Sequence, residues 1–215
     1  IDLYREVHKG LRQALFGVVQ HAGSVDTSDS EDLAAFRSRF AELDMMLSTH
    51  HEHEDLPALA DLVSSRAPDL IGMIDTDHER IEHQLEKLRV LVADLDGDSD
   101  TADIHARLGA FTGDYLGHMR FEEQEVMPRL RAGATAEELM GITMAIRTSV
   151  PPDQMCVFLR SMLPAMNPDE RTRTLGGMQA GAPPEIFEMF WAAAIESLTP
   201  EQLAVVADRL AIPTP

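Results

Sequence analysis

The 215 residues contain a single cysteine, Cys156. A lone thiol excludes an internal disulfide and any cysteine-built zinc or iron–sulfur site, and it suits a reducing cytoplasm. No apolar run approaches the roughly 18 residues that a bilayer span requires, so no membrane partner is expected. Positive charge is scarce: 18 Lys and Arg stand against 37 Asp and Glu, a net charge of −19. Such a surface repels phosphate backbones and anionic lipid, which argues against nucleic acid as a partner. Aromatics are few, and all nine histidines lie at or before position 118. Whatever the imidazoles do therefore belongs to the N-terminal part.

What is present is helical periodicity. Apolar residues make up 44% of the chain and charged residues 26%, which allows a substantial core. Residues 2–22 carry Tyr4, His8, Leu11, Leu15, Val18 and Ala22 on one stripe. A turn-rich stretch, 23–30, follows, where Ser28 with Glu31 forms a candidate capping box and Ser30 competes as the cap. A second helix is expected over about 31–55, with a short continuation over 56–65 after Pro57 interrupts it. A third is expected over about 69–96. A fourth is expected over about 101–130, with Pro128 marking its end. The expected fold is all-α: an up-down-up-down four-helix bundle over 1–131, then a smaller C-terminal helical region over 132–215.

That C-terminal region shows helix starts but no chemical motif. Thr135 with Glu138 reads as a capping box, and Thr199-Pro200-Glu201-Gln202 as a helix start with Pro in the first position. Seven of the twelve methionines and the only tryptophan lie here, which suits a core. A pliable partner-binding face is the alternative.

Polar residues interrupt the apolar stripes of the bundle at matching places. His8 lies on the first stripe, His50 and Glu54 end the second, His78 lies on the third, and His118 and Glu122 end the fourth. Each His-x-x-x-Glu step turns 400° about its helix, so His and Glu stand one above the other. A buried polar group without a partner costs ~2–7 kcal/mol, and an ionised carboxylate more. Six such groups in one layer would exceed the ~5–15 kcal/mol net stability of a domain. A coordinated cation removes that difficulty. Four His and two Glu are too many for one tetrahedral zinc. Mixed nitrogen and oxygen donors on facing helices suit a carboxylate-bridged pair of iron or manganese ions.

The ordered set His8, His50-x-x-x-Glu54, His78, His118-x-x-x-Glu122 resembles the hemerythrin-like, or HHE cation-binding, family over about residues 1–131. The resemblance implies a non-heme di-iron centre bridged by the two carboxylates and an oxo or hydroxo group. It also implies a role in binding or turning over dioxygen, peroxide or nitric oxide. A sensor or carrier whose C-terminal helices relay metal or ligand state to a protein partner is the other reading. The oxygen carriers of the family use five histidines, and this chain offers four on its stripes. Tyr115, three residues before His118, and Tyr4, four before His8, are candidate additional ligands; a tyrosine packed in the core is the alternative for each. Among the other histidines, His53 lies 60° from His50 as a reserve ligand, and His83 faces elsewhere. His51, His21 and His105 are expected in solvent. Glu82, one turn past His78, is placed to orient it.

Overall fold

The computed structural model describes residues 1–213, and those residues are helical with no strand. Two compact units result. One comprises Ile1–Tyr4 with Ala14–Thr143; the other comprises Arg5–Gln13 with Met144 onward.

The first unit is built on three long helices, α2 (Ser30–Glu54), α4 (Ile71–Asp94) and α5 (Ala102–Phe121), and on the later turns of α1 (Arg5–Ala22), from Ala14 onward. A short helix, α3 (Pro57–Arg66), intervenes between α2 and α4. Contacts along the helices show that sequence neighbours run antiparallel. At the α1–α2 turn, His21 Nε2 lies 3.0 Å from Asp32 Oδ1. Arg37, early in α2, donates to the carbonyls of Val92, Ala93 and Leu95 at the end of α4. Further along, Arg89 Nε donates to Asp44 Oδ1 at 2.9 Å. Between α4 and α5, Gln84 Nε2 donates to Asp114 Oδ2 at 2.7 Å.

The apolar stripes face inward, as their spacing demands. Phe36, Leu43 and Leu47 of α2, Leu85 and Leu88 of α4, and Leu108 and Phe111 of α5 are buried. Each contributes ~1.5–3 kcal/mol by leaving water, enough together to offset a polar layer at one end. The cap of α2 differs from expectation. Asp29 accepts from the backbone N–H groups of Glu31 and Asp32, so neither Ser28 nor Ser30 is the cap. A carboxylate there also meets the positive end of the helix dipole.

The fourth helix also differs. It does not stop near Pro128 but widens into a π turn over Glu122–Val126 and continues as α6 (Met127–Gly133). The Met127 N–H bonds to Glu122 O, five residues back. Proline has no N–H to give and crowds the carbonyl four residues before it. A wider turn just ahead of Pro128 accommodates both defects and lets the helix proceed.

The second unit holds α8 (Pro152–Ala165), α9 (Pro168–Gly181), α10 (Pro184–Ser197) and α11 (Pro200–Leu210), while α7 (Ala136–Ser149) runs from the first unit into it. Its core gathers Leu159, Leu163, Leu175, Phe190, Ala194 and Val206, with Met162, Met178 and Trp191 packed partly buried against it. Capping boxes start α9 (Asn167 with Glu170) and α11 (Thr199 with Gln202). Thr135 and Glu138 exchange the two expected bonds ahead of α7. The first turns of α1 belong to this unit. Lys9 Nζ donates to Glu170 Oε2 at 2.6 Å, and Arg5 Nε lies 3.1 Å from Glu170 Oε1. Gly10 lies so close to Met162 that any β-carbon would overlap it.

Candidate metal centre

All four stripe histidines are buried: His8 at 0% exposure, His50 at 5%, His78 at 8% and His118 at 2%. Glu122 is buried as well, and the Glu54 side chain is 8% exposed. These six residues form two groups. His8, His50, Glu54 and Glu122 each offer one donor atom, all within 4.8 Å of one another; Glu54, His78, His118 and Glu122 do the same. Both carboxylates belong to both groups. Two donors opposite each other across a cation, with bonds of ~2.0–2.2 Å, stand about 4.2 Å apart. Slight inward movement would bring either group onto one ion.

His78 Nε2 lies 3.1 Å from Glu54 Oε2, and His50 Nε2 3.2 Å from Glu54 Oε1. These are hydrogen-bond distances. Yet Glu54 Oε1, Glu54 Oε2 and His78 Nε2 are buried without a hydrogen bond of acceptable angle. His118 Nε2 is 3.6 Å from Glu122 Oε1 and 3.9 Å from Glu54 Oε2. Buried polar atoms left in this state are uncommon and signal a missing partner. A cation fits that donor set, since imidazole nitrogens and carboxylate oxygens are both metal ligands.

The metal-free electrostatics split the two carboxyls. Burial pushes Glu122 well above its ordinary value, and the charge of Glu54 beside it adds to the effect. Burial pushes Glu54 up as well, but the charge of His50 and the contacts with Glu122, His118 and His50 outweigh it, leaving Glu54 well below its ordinary value. The pKa values of two like charges held side by side are driven apart in this way. For His78, burial favours the neutral form, but the Glu54 carboxylate close beside it prevails and raises it.

Both tyrosines are buried beside the cluster, Tyr4 at 4% exposure and Tyr115 at 3%. Burial raises both phenols well above their ordinary value, and the charges of Glu54 and Glu122 raise them further. The Tyr115 ring meets His118 edge-on at 5.7 Å and also contacts Phe111.

Three sequence expectations need correction. His51 is half-buried, with its ring edge-on to His78 at 4.2 Å. His21 is not free in solvent but pairs with Asp32 and meets the Phe36 ring edge-on. Glu82 does not orient His78; it is exposed and pairs with Arg89 at 2.6 Å. His83 and His105 are exposed. His53 is half-buried, and burial, with His50 nearby, lowers its pKa. Asp77, which no stripe argument singles out, lies 3.8 Å from His118 Nδ1. Its one sequence signal is its place next to His78.

Two cavities border the cluster. The smaller, about 10 Å³, lies toward Tyr115, His51 and Leu85. The larger, about 90 Å³, lies toward Tyr4 and α3.

Fold and site together define an all-α protein with a buried His/Glu cluster able to hold a cation. The profile of the hemerythrin HHE cation-binding domain matches residues 1–130, and the chain belongs to that family. No curated protein and no solved structure matches it. Among the described residues, no helix is long and apolar enough to cross a membrane.

Proposed function

We propose that the chain holds two iron ions and binds or turns over dioxygen, peroxide or nitric oxide there. The observation that carries this reading is the pair of overlapping donor groups with Glu54 and Glu122 in common. His8 and His50 would serve one ion, His78 and His118 the other, and the two carboxylates would serve both. Manganese is the second choice for the same donors. When bound, iron supplies electrons and Lewis acidity. The protein supplies the rest. Of the two shared carboxylates, Glu54 is held below its ordinary value and Glu122 above it. The walls of Leu47, Ile81 and Leu85 keep water scarce on one side. Four protein donors per ion leave room for a small ligand, unless Tyr4 or Tyr115 takes a position. Elemental analysis with an optical spectrum tests the reading. Two irons per chain and oxo-bridged ferric bands support it, and a metal-free protein after iron loading sinks it. Loss of a phenolate band in Tyr4→Phe or Tyr115→Phe identifies any tyrosine ligand. Peroxide consumption no faster than by free iron removes the peroxidatic version.

A second reading, a sensor or carrier acting on a protein partner, draws support from one observation. Arg5–Gln13, which includes His8, clusters with the C-terminal helices. Metal state at His8 would then be felt in α8–α11. Equal protease resistance of α8–α11 with and without iron counts against it. The acidic surface favours a protein or small-molecule partner over nucleic acid or membrane, and the lone cysteine favours a cytoplasmic setting.

A further inference from the structure

The larger cavity joins the cation centre to solvent, and its two ends differ in chemistry. Its inner end is formed by buried groups: Tyr4, Glu54, His78 and Glu122. Its walls are apolar, from Leu59 and Val63 on α3 and Ile71 and Ile74 on α4. Its outer rim carries two carboxylates, Asp55 and Asp75, both exposed. No Lys or Arg lines it. A water molecule needs ~10–15 Å³ measured this way. A cavity of about 90 Å³ therefore admits a molecule of a few heavy atoms. The opposite cavity, at about 10 Å³, holds at most one water. Glu54, whose two carboxylate oxygens are buried without a hydrogen bond of acceptable angle, lines this cavity as well as the smaller one.

Resting on the di-iron reading above, we infer that small ligands reach the centre on the α3 side and that Asp55 and Asp75 select uncharged ones. Dioxygen, nitric oxide and hydrogen peroxide are neutral near pH 7 and small enough. Azide and similar anions fit by size but must pass two like charges at the mouth of a low-dielectric channel, where field lines are concentrated. The overall charge of −19 adds a repulsion that salt screens. The apolar walls favour a neutral diatomic over water. Asp55 and Asp75 are thus specificity-determining residues, and Ala60, also in the lining, sets the bore.

The test uses the full chain loaded with iron, with metal content measured first. Azide and nitric oxide are titrated optically into wild type and into the double variant Asp55→Asn/Asp75→Asn. Azide should bind about fivefold more tightly to the variant in low salt, with the gap closing at high salt, while nitric oxide affinity stays the same. Azide affinity equal in the two proteins overturns the inference, as does an equal gain for both ligands, which would report general loosening. Ala60→Leu, which fills the bore, should weaken both ligands severalfold at unchanged iron content; unaltered binding there overturns the route. Wild type that takes up no iron defeats the di-iron reading itself, a different result from intact iron with unselective binding.

Discussion

Lys9, the residue after His8, places its ammonium 2.6 Å from the buried carboxylate of Glu170 on α9. Glu170 also accepts from the Asn167 N–H at 2.9 Å, closing the capping box that starts α9. One side chain thus caps a C-terminal helix and binds the turn of α1 that carries a candidate ligand. Glu170→Gln should lower stability by about 1–3 kcal/mol, because it leaves Lys9 and Arg5 facing a neutral amide. Denaturant melts of the metal-free chain check the value. An unchanged midpoint would mean that this pair is no more than a surface contact.

The same residue predicts an acid dependence. Burial pushes Glu170 up, but Lys9, Asn167 and Arg5 prevail and hold it below its ordinary value. A depressed carboxyl contributes stability above the ordinary carboxylate range and loses it as pH falls through the lowered value. The melting difference between wild type and Glu170→Gln should therefore shrink below about pH 4.5. A difference constant down to pH 3 contradicts the assignment.

The cation centre predicts the opposite slope. Glu122 holds a proton in the metal-free fold that an unfolded chain would release. Stability from a raised carboxyl is complete below the ordinary value and declines as pH rises toward the folded value. Raised His78 acts in the same direction, from about pH 6.5 upward. Metal-free protein should thus lose stability as pH rises above the ordinary carboxylate range, whereas iron-loaded protein should not, since the cation replaces the proton. Thermal melts at several pH values, with chelator and with iron, measure the gap. Parallel curves would show that loading releases no proton.

Sharing of the carboxylates sets a stoichiometry. Glu54 belongs to both donor groups, His8 to one only. Glu54→Ala should abolish binding of both ions, while His8→Ala should retain about one per chain. Elemental analysis after gel filtration separates these outcomes. Two ions retained in Glu54→Ala would mean that the groups do not share it.

Much of the bundle was legible because periodicity is local. The stripe from Leu33 to Glu54 states which face of α2 is buried, and Asp94 and Ala102 end and begin helices close to the expected limits. His51 and His21 were misjudged for a common reason. Each sits off its own stripe, and what covers it is a side chain from another helix: His78 for one, Asp32 for the other. The helix cap was missed by one residue because Ser28, Asp29 and Ser30 all have capping chemistry, and only backbone geometry distinguishes them.

The order of residues alone settled the all-α class, the six polar positions on four apolar stripes and the two His-x-x-x-Glu steps, since each follows from the 3.6-residue turn. Tertiary packing decided that Glu54 and Glu122 stand in both donor groups, that a π turn starting at Glu122 carries the helix past Pro128, and that the turn holding His8 is gripped by Glu170. Those relations join residues as far as 161 positions apart. No helical period reaches that distance; only the folded chain brings such charges within range of one another.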